Sequence, residues 1–134
     1  MVTCPYPKLL PESTGASSAI GFFLQKYKEC CKKHPQCRLQ QSVTQFYPTR
    51  LVEVGELGDA YVRLRELRTY SAEGPYFCLS HCWGEKQPFK LTKETYSILQ
   101  EGISLESLPK TFRDAILVTR NFQVRYLWYV LCRE

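Results

Sequence analysis

The 134-residue chain carries 18 lysines and arginines against 13 acidic residues, a formal net charge of +5, and is 44% hydrophobic, 23% charged and 13% aromatic. These proportions exclude a disordered or low-complexity chain and suit about one packed domain. The mild basic excess comes without a basic stripe joined to a reading element or stacking aromatics, so no nucleic-acid partner is expected.

Residues 1–18 hold Pro5, Pro7, Pro11 and Gly15 and are predicted to be an irregular lead-in. Met1 to Glu12, with three prolines, contains no apolar run that could serve as a secretory core. The longest early apolar patch, Ala19 to Leu24, falls far short of the ~20 residues that span a bilayer. No membrane segment and a cytoplasmic location follow as expectations. From Ala19 to Lys33, within a helical segment 19–47, Ile20, Phe23, Leu24, Tyr27 and Cys31 recur at helical spacing, while Lys26, Lys28, Lys32 and Lys33 make a solvated side. Pro35 lacks an N–H and restricts His34, which should stop that helix.

The seven cysteines of a cytoplasmic chain are expected to be thiols, metal ligands or small packed hydrophobes rather than disulfides. Cys30, Cys31, His34 and Cys37 place four zinc-capable groups within eight residues. Cys30, His34 and Cys37 share a helical face, whereas structural zinc sites normally close from two separated ligand pairs. Pro35 could kink the chain enough to help, but the expectation is a helix end with partly buried thiols, no metal and no cofactor; a zinc-stabilised adaptor is the alternative.

Leu51 to Val54 and Tyr61 to Leu67 read as a β-hairpin around Gly55, Gly58 and Asp59, with Val62 and Leu64 alternating against Arg63 and Arg65. Tyr76 to Trp83 is apolar on both alternating faces and calls for cover on both sides, with Cys78 and Cys82 in the core. Thr92 can cap a helix to about Gln100, with Glu94 in its first turn and Gly102 ending it. Pro109 suits the first turn of the next helix, or Thr111 caps it with Asp114 completing a capping box. Phe112, Ala115, Ile116 and Thr119 share its apolar face, and Val124 to Cys132 is strand-like, with Trp128 in the core. Strand, helical crossover and strand make a βαβ unit. The predicted fold is α/β: a partial three-layer sheet preceded by an N-terminal helix and a hairpin.

Three segments then carry a family likeness: Tyr76-Phe77-Cys78-Leu79-Ser80-His81-Cys82-Trp83-Gly84, Leu108-Pro109-Lys110-Thr111-Phe112-Arg113-Asp114-Ala115-Ile116, and Arg125-Tyr126-Leu127-Trp128. In order and spacing they resemble the opening of the fungal heterokaryon-incompatibility (HET) domain, whose motif positions are Leu79, Ser80, Cys82, Trp83, Gly84, Leu108, Pro109, Thr111, Phe112, Asp114, Ala115, Arg125, Tyr126, Leu127 and Trp128. Pro48 to Leu51 and Val62 to Leu64 resemble the strands that often lead into that domain, giving an expected domain of 48–134 with its motif region at 76–134. His81 stands where the family commonly has Tyr. After Trp128 the family's usual acidic residue is missing, and a product truncated within its domain is the expectation.

The resemblance implies an incomplete TIR- or flavodoxin-like fold and an effector of non-self recognition and programmed cell death. The implied partners are proteins, including copies of itself. It also implies a different class of activity, the N-terminal piece of a TIR-like NAD-hydrolysing enzyme. That chemistry needs a carboxylate to stabilise developing positive charge. Glu85 reads as a solvated loop charge and Asp114 as a helix cap, so no catalytic residue is assigned and this chain is not expected to be an enzyme. Cys82 beside His81 suggests nucleophile and base, but neighbours on a strand point to opposite faces.

Overall fold

Helical spacing from Ile20 onward is matched by a helix, α1, at Ser17–Lys33 in the computed structural model, which describes residues 13–39, 46–81 and 91–129. The helix begins two residues inside the expected lead-in; the rest of that lead-in before Ser13 lies outside the described residues. Lys32 and Lys33 occupy its last turn, where positive charge complements the helix dipole. Phe23 and Tyr27, expected on a buried stripe, are exposed, and Ala19 is the buried residue of this helix. Pro35 ends α1, as predicted, but also opens a second helix, α2, at Pro35–Leu39. Proline suits a helix start because its missing N–H would find no helical partner there. Before it, His34 is extended (φ −106°, ψ 112°), the conformation a following proline favours.

The chain divides into two compact units, Met1–Thr44 and Gln45–Glu134. In the second, the predicted hairpin forms β1 (Arg50–Glu53) and β2 (Tyr61–Glu66), with Val52 opposite Leu64. Gly55 begins its turn at φ +73°, and a Cβ there would strike the Asp59 carboxylate that accepts from the Glu56 N–H at 2.9 Å. β3 (Tyr76–Leu79) and β5 (Tyr126–Tyr129) are parallel neighbours, with Phe77 opposite Leu127 and Cys78 opposite Trp128. Between them in the chain come α3 (Lys93–Glu101), the short β4 (Ile103–Ser104), a 3₁₀ turn at Leu105–Ser107 and α4 (Lys110–Asn121). This is the expected βαβ unit. The hairpin joins the same sheet, giving the order β3-β5-β1-β2-β4 and a mixed sheet in which β3 and β5 pair parallel and the other described neighbours pair antiparallel.

Thr92 caps α3 as predicted, in a reciprocal capping box with Thr95, and Gly102 ends the helix at φ +133°. α4 departs from its prediction. Pro109 takes the N-cap position, Thr111 lies inside the helix, and Asp114 pairs with Lys110 at 2.5 Å rather than closing a capping box. Proline at 109 fixes the entry to the helix, so no side chain is left to cap it.

One sheet face and the two helices enclose the core. Val52 and Val54 of the β1 segment, Val62 and Leu64 of β2 and Leu127 of β5 meet Leu99 of α3 and Leu108, Phe112 and Ile116. Each large apolar side chain fully buried there contributes about 1.5–3 kcal/mol. β3 is a shorter strand than expected and lies at the sheet edge, so Cys78 is exposed and not in the core; Cys82 and Trp83 lie outside the described residues.

Candidate functional site

Alternation along β3 and β5 divides the family motif between two sides of the sheet. Phe77, Leu79 and Leu127 pack on the helix-covered core, together with Leu108, Phe112 and Ala115 of the second motif. The parallel register sets Tyr76 beside Tyr126 and Cys78 beside Trp128 on the opposite face. Trp128 is 38% exposed, contrary to its expected place in the core, because it points away from α3 and α4. Ser80, Thr111, Asp114 and Arg125 are also exposed, and Pro109 is half-buried. Cys78, Ser80 and Trp128 thus lie near the carboxyl ends of the two parallel strands, the end at which open α/β sheets bind ligands. Cys82, Trp83, Gly84 and Glu85 follow β3 outside the described residues, as does the cysteine of the nucleophile-and-base pairing with His81. The His81 ring meets Phe112 edge to face at 5.4 Å, tying the end of β3 to α4.

A polar and aromatic cluster occupies the other end of this second face. The buried Glu53 carboxylate accepts from Arg65 Nε at 2.6 Å and from Arg125 Nε at 2.8 Å and Nη2 at 2.5 Å. Burial pushes the Glu53 carboxyl up, but the hydrogen bonds from Arg125 and Arg65 outweigh it and hold the group below its ordinary value. A carboxylate so engaged fixes β1 to β2 and to the residue that leads into β5, and offers no free base. Tyr126, 1% exposed, shares a 2.9 Å hydrogen bond with the Tyr70 hydroxyl. Burial, and then that bond, push the Tyr126 hydroxyl up to about 12.

Beside this cluster a cleft of about 820 Å³ is lined by residues that include Glu53, Asp59, Arg63, Arg120, Gln123 and Arg125. Arg120 is 3% exposed and donates to the carbonyls of Val54 at 2.7 Å, Asp59 at 2.8 Å and Tyr61 at 3.3 Å, binding α4 to the β1–β2 turn. Gln123 sits at φ +57° because α4 ends in a paired reversal: its N–H donates to the Arg120 carbonyl, and that of Val124 to Thr119. Sequence reasoning missed Glu53, Arg120 and Gln123. The signal for Arg120 was available, four residues beyond Ile116 on the buried face of α4. That for Glu53 was its place between Val52 and Val54 in a strand facing an arginine-bearing partner.

The cluster and the two parallel strands are joined by the third motif, which supplies Arg125, Tyr126 and Trp128 to one face and Leu127 to the other. A search of curated proteins and a search of solved structures each return no match. Residues 76–130, from the start of β3 to one residue past β5, match the family model described as Heterokaryon incompatibility protein (HET), consistent with a partial domain of that family.

Proposed function

We propose that this chain is an effector of heterokaryon incompatibility, arresting growth or triggering programmed cell death when genetically unlike fungal cells fuse. It works in the cytoplasm through protein partners or self-association, and its domain is 48–134. The observation that supports this reading is the family match over 76–130, with its three motifs in order on β3, α4 and β5. The motif divides its labour. Leu79, Leu108, Phe112, Ala115, Tyr126 and Leu127 build the frame, while Ser80 and Trp128 meet partners at the carboxyl ends of β3 and β5.

The test is induced expression of the chain in a fungal host, followed by growth and viability counts beside Phe112→Ala. Phe112 is 1% exposed, and truncating it costs about 3–5 kcal/mol. Arrest by the wild type and its loss in the variant are expected. Unimpaired growth at an immunoblotted level of intact wild-type chain would refute the reading.

A further inference from the structure

The first unit holds a cluster that the incompatibility reading does not use. Cys30 lies near the end of α1, His34 is its C-cap and Cys37 lies in α2. The Cys30 Sγ is 3.3 Å from His34 Nδ1 and 3.4 Å from Cys37 Sγ, and the three ligand atoms lie within 4.8 Å of one another. We propose that Cys30, His34 and Cys37 bind one zinc ion through two thiolates and an imidazole, with water in the fourth position.

Two of the three spacings come close to those of a tetrahedral site, and the third lies within 4.8 Å. With Zn–S near 2.3 Å and Zn–N near 2.0–2.1 Å, adjacent ligands sit about 3.8 Å apart for two sulfurs and about 3.6 Å for sulfur and nitrogen. The two contacts fall a few tenths of an ångström short of this, a gap that side-chain rotation closes. The backbone sets the triad by itself. The His34 N–H donates to the Cys30 carbonyl at 3.0 Å and the Cys37 N–H to the His34 carbonyl at 3.1 Å, so the turn forced by Pro35 carries Cys37 back onto Cys30. A continuous helix would have given a flat row along one face; the break at His34 gives a triangle.

The chemistry selects the metal. Two thiolates and an imidazole suit a borderline-soft divalent ion and disfavour magnesium or calcium, which take oxygen ligands. Two thiolate charges neutralise a divalent ion. Cys31 is not a ligand: it lies about 100° round the helix from Cys30 and its thiol is hydrogen-bonded with the Tyr27 hydroxyl. His34 is exposed and both ligand cysteines are only partly covered, which opens the fourth position to water.

The test uses the whole chain under reducing conditions, with Co²⁺ as a spectroscopic probe and Zn²⁺ as competitor. One cobalt per chain is expected, with tetrahedral visible absorption and a thiolate charge-transfer band of two-sulfur intensity, both abolished by one equivalent of zinc. Because the wild-type spectrum counts the sulfurs, this readout does not depend on any variant folding. Cys30→Ser, Cys37→Ser and His34→Gln should each weaken binding by more than the roughly 10–100-fold lost with a merely supporting residue, and Cys31→Ser should leave it unchanged. No cobalt absorption at stoichiometric metal would overturn the proposal. So would unchanged affinity in Cys30→Ser and Cys37→Ser, or recovery of Cys30 and Cys37 as a linked peptide from the reduced preparation.

Discussion

The two faces of the five-stranded sheet are built on different principles. The core of the helix-covered face is apolar, with Val52, Val54, Val62, Leu64 and Leu127 meeting α3 and α4. The opposite face carries a carboxylate held by two arginines, a hydrogen-bonded tyrosine pair and the exposed Cys78 and Trp128. Apolar packing is non-directional and tolerates change of shape, whereas a buried charge depends on its partners. The two faces should therefore fail in different ways when cut.

The largest loss is expected at Arg120, the buried side chain by which α4 holds the β1–β2 turn. Arg120→Met leaves the Val54, Asp59 and Tyr61 carbonyls without their donor and should cost about 3 kcal/mol or more, read as a lowered urea midpoint. A change below about 0.5 kcal/mol would mean that water replaces the guanidinium freely.

Next comes Glu53→Gln on the opposite face, at about 1–3 kcal/mol at neutral pH, since Arg65 and Arg125 lose their counter-charge. The pH dependence sharpens the contrast. A carboxyl whose folded pKa lies below the unfolded value of about 4.3 adds stability that is present above that value and lost as pH falls through the folded one. The wild type should lose stability below about pH 4.3 more steeply than Glu53→Gln, and parallel acid profiles would show that the two arginines do not hold the carboxylate.

Gln123→Gly is expected to act in the other direction. Releasing a non-glycine residue from φ +57° at the end of α4 should raise stability by about 1 kcal/mol, seen as a higher urea midpoint at constant slope. A lower midpoint would indicate that the Gln123 side chain contributes more than its backbone costs.

How much was legible follows from the same contrast. Alternation of Val62 and Leu64 with Arg63 and Arg65, the Thr92 cap and the Gly102 stop each declare themselves within a few residues, so the hairpin and α3 were readable. The βαβ unit was readable too, because the apolar strands and the intervening helices each show their own period. What failed depended on distant pairing. Trp128 and Cys78 look like core residues in a run of apolar neighbours, and the edge position of β3 and their place on the face turned from α3 and α4 expose them. Glu53 finds Arg125 72 residues away, beyond the reach of any local pattern. The Cys30–His34–Cys37 triangle was half legible: spacing put the three on one face, and the turn at His34 closed it.

On the proposed incompatibility function the motif residues divide into a buried frame and an exposed partner surface, and two neighbouring residues of β5 separate these roles. Leu127 faces the core at 2% exposure and Trp128 faces outward. Leu127→Ala should lose about 2–5 kcal/mol and arrest with it, whereas Trp128→Ala should still melt cooperatively, within about 1–2 kcal/mol of the wild type, yet no longer arrest growth on induction. Full arrest by a folded Trp128→Ala chain would exclude Trp128 from the partner surface.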